Sequence, residues 1–200
     1  MKTINGKIIA ANFNNKLKDK IKILKDNYNV IPSLVVIVVG EHPASQVYVK
    51  NKSIQAHKVG IKSIVKKLDK TVSEDELLKL IALYNSDEKV DGILLQLPIP
   101  QHIDSNKIIE AISYEKDVDG FNSKNIGLLA LGRPNVIPCT PLGCLKLLKI
   151  QTDLSGKNVI IIGRSNIVGR PLSFLLTNHN ATVTIAHSKT SNLKSLCRDK

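Results

Sequence analysis

Apolar runs typical of buried strands alternate along the chain with segments of helical periodicity. The run SLVVIVVG at residues 33–40 predicts a fully buried strand that ends at a glycine. A capping-box pattern, Ser73 followed by Glu76, predicts the start of a helix. The predicted helices cover residues 8–28, 44–59 and 73–84, and the predicted strands cover residues 33–40, 61–68 and 92–96. This order predicts a βαβαβ unit with a parallel sheet.

The second half of the chain continues the same alternation after an interruption. Proline and glycine punctuate residues 115–138, which is the best candidate for a hinge or cleft between domains. The pattern then predicts helices at residues 140–149 and 167–177 and strands at residues 157–163 and 181–186. We therefore predict an α/β fold of two domains, residues 1–138 and 139–200, the second of Rossmann type. Since the chain ends two strands into it, we expect that domain to be incomplete at its C-terminus.

Composition narrows the range of function classes. The net charge is +12, but the lysines are scattered, only four of the 29 basic residues are arginines, and no aromatics are interleaved with them. Nucleic-acid binding is therefore the weakest interpretation, and solvated lysines or attraction of a small anion fit better. No apolar run could cross a bilayer and no secretory signal is visible, so we expect a cytoplasmic protein without membrane contact. Three cysteines without CxxC spacing predict no metal site.

A glycine turn in the second domain is a candidate dinucleotide site. GRSNIVGRP follows a predicted strand and opens a helix, so that Gly163 would allow a sharp exit and the next amides would face a pyrophosphate. Ser165 and Val168 stand where the GxGxxG pattern has its second and third glycines. A tight turn without any ligand would have a similar sequence.

The end of the following strand indicates which dinucleotide such a turn would select. NAD-binding folds usually carry an acid there for the ribose hydroxyls, whereas this strand ends in Ala186, His187, Ser188 and Lys189. Together with Arg164 in the turn, this favours the 2′-phosphate of NADP. The alternatives are a solvated loop arginine and a histidine satisfied by the backbone.

A second group of candidates lies in the first domain. Tyr48 and Lys52 are four residues apart on a predicted helix, so they share a face, and Gln96 ends a strand at the same carboxyl edge of the sheet. Spacing alone would equally fit packing and solvation. In KDVDGFN, Asp117 or Asp119 could accept N–H groups of a bound heterocycle or form an ordinary Asx turn.

Six blocks, in this order and at this spacing, resemble the bifunctional methylenetetrahydrofolate dehydrogenase (NADP+)/methenyltetrahydrofolate cyclohydrolase family. They are ASQVYVKNKSIQAHKVGI, DGILLQLPIP, KDVDGFN, PCTPLG, GKNVIIIGRSNIVGRP and ATVTIAHSKT. The resemblance implies oxidation of 5,10-methylenetetrahydrofolate with NADP and hydrolysis of the product to 10-formyltetrahydrofolate. It also implies a homodimer in the full-length family form and no metal.

The resemblance implies a role for each candidate residue. Lys52 would transfer protons and activate water, Gln96 would orient Lys52, and Tyr48 would stack on the folate ring. Asp119 would hold the pterin edge. Arg164 and Ser188 would contact the 2′-phosphate, while Gly163 and Ser165 would line the pyrophosphate turn.

The chain departs from the family pattern at two positions, where Ala186 replaces a frequent cysteine and Asn122 a frequent histidine. Two rival interpretations stay open beside the family's activity. One is a non-catalytic, truncated remnant of such an enzyme. The other is a different two-domain NADP oxidoreductase, similar to shikimate dehydrogenase.

Overall fold

A computed structural model describes residues 4–198, and the chain divides into two compact units, Met1–Val118 and Asp119–Lys200. The helices of the first unit are α1 (Gly6–Tyr28), α2 (Pro43–Val59), α3 (Glu74–Ser86) and α4 (Ser105–Ala111), and its strands are β1 (Ser33–Val39), β2 (Lys62–Leu68) and β3 (Gly92–Leu95). The second unit contains helices α5 (Ser123–Ala130), α6 (Cys139–Gln151), α7 (Gly169–Asn178) and α8 (Leu193–Arg198), and strands β4 (Asn158–Ile162) and β5 (Thr182–Ala186). The domain boundary at residues 138/139 stays a prediction.

The sheet of the first unit is parallel, in the order β2-β1-β3. Its central strand, β1, is buried on both faces, because alternate residues pack into two hydrophobic clusters on opposite sides of the sheet. Val35, Ile37 and Val39 pack into the larger core with residues of α3 and α4. Val36 and Val38 pack on the other face with Val49 of α2. This explains why the strand has a continuous apolar sequence, and it confirms the predicted α/β class.

The chain just after α4 extends this sheet beside β3. Asp117 bridges Ile93 in parallel, and the Ile93 N–H donates to the Lys116 carbonyl oxygen at 2.7 Å. Gly92 is required here, since a Cβ at this position would lie 2.4 Å from Cγ1 of Val118. The first half of KDVDGFN is therefore part of the sheet rather than a free turn.

The two sheets differ in size, because the second unit pairs only β4 with β5 within the part of the chain that the structure describes. Its core includes Leu145 of α6, Ile161 of β4, and Leu175 and Leu176 of α7. Leu129 of α5 belongs to the same core and is fully buried. None of the helices within residues 4–198 is long and apolar enough to cross a membrane.

Three short helices go beyond the sequence analysis, namely α4, α5 and α8. The first begins at Asp104, whose side chain accepts from the N–H groups of Asn106 and Lys107. The second lies inside the proline- and glycine-punctuated stretch and begins at Asn122. Both caps are Asx residues, which also open ordinary turns, and this is why the sequence pattern did not distinguish them.

Candidate functional site

A hydrogen bond joins two of the predicted site residues in the first unit. The Nζ of Lys52, on α2, donates to Oε1 of Gln96 at 3.2 Å, and both side chains are partly buried. Gln96 is itself held in place, because its Nε2 donates to the Leu97 carbonyl oxygen at 2.8 Å and its backbone N–H donates to the Ile37 carbonyl oxygen at 2.9 Å. The amide is thus fixed with its oxygen toward the ammonium.

Tyr48 lies one helical turn before Lys52, and its side chain is 62% exposed. An aromatic ring with this exposure is available to stack on a flat ligand beside the ammonium. Ser45, another turn earlier, was not among the sequence candidates. It is only 3% exposed, and its Oγ has no hydrogen-bond partner among the described residues. The sequence signal for it is the spacing of seven from Lys52, which places both on the inner face of the helix.

A cleft of about 1010 Å³ opens elsewhere in the first unit, between α2 and β2. Its lining includes Lys50, Lys67 and Lys70 above an apolar floor, but none of Tyr48, Lys52 and Gln96. We place the candidate site at the Lys52–Gln96 pair, because there the polar groups converge and are fixed by the sheet. In the cleft the lysines are spread along α2, β2 and the turn that follows β2.

The two acids of KDVDGFN have different surroundings. Asp117 is 2% exposed and belongs to the extended sheet of the first unit. Asp119 is only partly buried and is the first residue of the second unit. Asn122 is buried and caps α5, its Oδ1 accepting from the Lys124 N–H at 2.9 Å. Asp119 is therefore the more accessible carboxylate of this loop.

The glycine turn of the second unit is built around a close backbone approach. Gly163 leaves β4 with φ of 134°, and its N–H donates to the Ala186 carbonyl oxygen at 2.7 Å. A Cβ added at Gly169 would lie 2.2 Å from the Gly163 carbonyl oxygen. The role that the GxGxxG pattern gives to its third glycine, close helix–strand packing, therefore falls on Gly169 and not on position 168. A Cβ at Gly163 would meet nothing within 4 Å, so this side of the turn is open to a ligand.

Ser165 organises the start of α7 from within the turn. Its Oγ accepts from the N–H groups of Val168 at 3.2 Å and Gly169 at 3.3 Å, and its carbonyl oxygen accepts from the Arg170 N–H. The hydroxyl thus satisfies two of the amides expected to face a pyrophosphate, while its own hydrogen is left for a ligand oxygen. The side chain of Arg164, next to it, is exposed.

The residues after β5 form a closed turn at the same edge of the sheet. The His187 N–H donates to Oγ1 of Thr190 at 2.8 Å, and the Thr190 N–H donates back to the His187 carbonyl oxygen at 2.8 Å. Nδ1 of His187 accepts from the Lys189 N–H at 3.2 Å, so the histidine is satisfied by the backbone. Ser188 and Lys189 are exposed at the tip of the turn.

These residues fit a phosphorylated dinucleotide. The turn at Gly163 is open where a pyrophosphate would approach, and the tip after β5 offers a hydroxyl and an ammonium without a carboxylate. Fold and site together define an α/β protein with a dinucleotide-binding turn in one unit and an oriented lysine at the sheet edge of the other.

Comparison with known proteins identifies the family. Residues 4–119 match the tetrahydrofolate dehydrogenase/cyclohydrolase catalytic domain, and residues 138–200 match the NAD(P)-binding domain of the same family. The chain belongs to the tetrahydrofolate dehydrogenase/cyclohydrolase family.

Individual relatives agree with this assignment. The bifunctional protein FolD of Wolbachia pipientis subsp. Culex pipiens is 52% identical over 196 residues, which are 97% of this chain and 66% of the relative. The crystal structure of FolD from Campylobacter jejuni is 47% identical with a TM-score of 0.95, covering 98% of this chain and 70% of that one. The Trypanosoma brucei enzyme, solved with NADP and an inhibitor, is 32% identical with a TM-score of 0.91, covering 99% and 67%. The chain thus spans about two thirds of the length of these relatives.

Proposed function

We propose that this protein is a bifunctional one-carbon enzyme acting on tetrahydrofolate derivatives. In the first reaction 5,10-methylenetetrahydrofolate passes a hydride to NADP+, giving 5,10-methenyltetrahydrofolate and NADPH. In the second, water adds to the methenyl carbon, the ring opens to 10-formyltetrahydrofolate, and one proton is released. The observation that carries the proposal is the hydrogen bond from Lys52 to Gln96, which fixes an ammonium at the carboxyl edge of the sheet.

Each residue that we assign to the folate has a physical task. Lys52 transfers the proton between water and the folate nitrogen, and Gln96 holds the ammonium in the orientation that this transfer needs. Tyr48 offers an exposed ring on which the folate can stack. Asp119 accepts N–H groups of the pterin edge, as the more accessible acid of its loop.

The second unit binds the dinucleotide, and NADP when bound supplies the hydride acceptor. Gly163 lets the pyrophosphate approach the backbone, and the Ser165 hydroxyl can donate to it while its oxygen caps α7. Arg164 and Ser188 contact the 2′-phosphate. The bound NADP of the Trypanosoma brucei relative supports this choice of cofactor.

Location and assembly are part of the same proposal. We place the protein in the cytoplasm, where folate and NADP are available to it. We also propose a homodimer formed through the nucleotide-binding unit, supported by membership of a family whose full-length form we expect to be a homodimer. Sedimentation velocity tests the dimer, and a single monomeric species at micromolar concentration contradicts it.

Two spectrophotometric assays on the chain test the activity. The loss of methenyltetrahydrofolate above its spontaneous rate reports hydrolysis, and formation of NADPH from methylenetetrahydrofolate and NADP reports oxidation. We expect both, with NAD as the poorer acceptor. A folded chain that shows neither signal supports a non-catalytic remnant, whereas activity with shikimate in place of folate supports the rival oxidoreductase.

A further inference from the structure

The turn after β5 points to a residue outside the predicted dinucleotide contacts. We propose that Thr190 is a positioning residue that gives this chain its preference for a dinucleotide with a 2′-phosphate, an inference that rests on the proposed NADP site. Thr190 acts through Ser188 and Lys189, which it holds at the tip of the turn.

The first argument is the closure of the turn. The Thr190 side chain accepts the His187 N–H, and the Thr190 backbone N–H returns to the His187 carbonyl oxygen, both at 2.8 Å. A third bond, from the Lys189 N–H to Nδ1 of His187, crosses the interior of the turn. Three bonds within four residues leave the turn little conformational freedom, so the two tip residues are presented in one arrangement.

The second argument is the burial pattern of the turn. His187 and Thr190, at its two ends, are partly buried, whereas Ser188 and Lys189 between them are exposed. The anchoring groups are thus directed inward, and a hydroxyl and an ammonium are directed to solvent. A hydroxyl beside an ammonium is a suitable pair for a phosphate monoester, which offers three acceptor oxygens and negative charge.

The third argument is the position of the turn relative to Arg164. Ile162 at the end of β4 pairs with Ala186 at the end of β5 in the parallel register. The hydrogen bond from the Gly163 N–H to the Ala186 carbonyl oxygen then joins the two strand ends. The turn that carries Arg164 and the turn that carries Ser188 therefore leave adjacent points of one sheet edge. Thr190 closes the second turn at this edge through its two bonds to His187, and the charges of both turns can reach one phosphate.

The test compares two probes that differ only in the 2′-phosphate, adenosine 2′,5′-bisphosphate (2′,5′-ADP) and 5′-AMP, by titration calorimetry of the whole chain. The variants are Thr190→Val, which keeps the shape but removes the acceptor, and Thr190→Ser, which keeps the acceptor. Thr182→Val is the matched control, because Thr182 is exposed at the opposite end of the same strand. Circular dichroism checks that each variant is folded.

We expect wild type to bind 2′,5′-ADP more tightly than 5′-AMP. Thr190→Val should lose about tenfold in affinity for 2′,5′-ADP, the effect of one lost hydrogen bond, while binding 5′-AMP as before. Thr190→Ser and Thr182→Val should keep the preference. If Thr190→Val keeps it too, or weakens both probes equally, the positioning role is wrong although the NADP site stands. If wild type shows no preference, the proposed cofactor fails and the inference fails with it.

Discussion

Lys52 and Gln96 are 44 residues apart in sequence, yet the ammonium of one donates to the amide oxygen of the other at 3.2 Å. The pairing depends on the sheet, because Gln96 follows β3 directly and its N–H continues the ladder to the Ile37 carbonyl oxygen of β1. The lysine side chain is therefore held by the fold rather than by its own helix. This is the relationship expected of a group that must meet a substrate in one orientation.

Replacing Gln96 by leucine should impair catalysis with little loss of substrate affinity. The leucine fills a similar volume but offers Lys52 no acceptor, so we expect cyclohydrolase kcat to fall at least about tenfold, the value of a hydrogen bond to a charged group. Gln55→Leu is the control. Gln55 is exposed on α2, the helix that carries Lys52, and it accepts a hydrogen bond from Asn14. Steady-state kinetics separates kcat from KM, and an unchanged kcat in Gln96→Leu contradicts the orienting role.

Tyr48 should contribute to substrate binding through its ring rather than through its hydroxyl. Because the side chain is 62% exposed, Tyr48→Ala should leave the melting temperature nearly unchanged. We expect this variant to raise KM for the folate substrate about tenfold, as loss of ring stacking would, and Tyr48→Phe to stay close to wild type. A Phe variant as impaired as the Ala variant would assign the effect to the hydroxyl.

Gly169→Ala should disrupt the nucleotide unit. Its Cβ would lie 2.2 Å from the Gly163 carbonyl oxygen, a backbone atom, so α7 and the turn must separate. We expect a loss of about 1–3 kcal/mol in the free energy of unfolding, typical of overpacking, together with loss of 2′,5′-ADP binding. Gly143→Ala is the control, because a Cβ there meets nothing within 4 Å and the site lies within α6. Equal melting curves for the two variants would refute the close approach.

The ion pair between Glu74 and Lys107 should make stability depend on pH on the acid side. The hydrogen bond from Lys107, and then the backbone N–H of Asp104, hold the pKa of Glu74 below its ordinary value of 4.5. Because folding lowers the pKa of this carboxyl, its charged form stabilises the folded state at pH values above the ordinary pKa. This stabilisation is lost as the pH falls through the folded-state pKa.

Glu74→Gln should therefore lower the melting temperature at neutral pH and have less effect in acid. The expected difference is small, because both side chains are at the surface. Thermal melts at several pH values measure it, with Glu88→Gln, an exposed loop position, as the control. A Glu74→Gln effect that grows toward low pH would have the wrong sign for this pair.

The parallel sheet and the position of Gln96 at its carboxyl edge could be predicted because they follow from long-range rules, whereas the pairing of Gln96 with Lys52 was implied only by the family resemblance. A continuous apolar run such as residues 33–40 is typical of a strand buried on both faces, and carboxyl ends of parallel strands meet at one edge. Tyr48 and Lys52 then share a helix face by spacing alone. These inferences need only periodicity and topology.

What the sequence did not predict depends on single contacts between backbone and side chains. Gly169 takes the packing role one residue later than the GxGxxG pattern places it, in a turn where the Ser165 hydroxyl accepts from two backbone amides. The closure of the turn after β5 likewise depends on one hydroxyl, that of Thr190, which accepts from the His187 N–H three residues earlier. Neither arrangement produces a periodic pattern in the sequence, so neither could be predicted from periodicity.

The account is tested most directly by cyclohydrolase turnover of methenyltetrahydrofolate by the wild-type chain, Lys52→Met and Lys50→Met. This step needs no hydride acceptor, and Lys50 is an exposed lysine two residues away on the same helix. We predict turnover above the spontaneous rate for wild type and Lys50→Met, and none for Lys52→Met. Turnover in a folded Lys52→Met variant equal to that of wild type would contradict the assignment of proton transfer to Lys52.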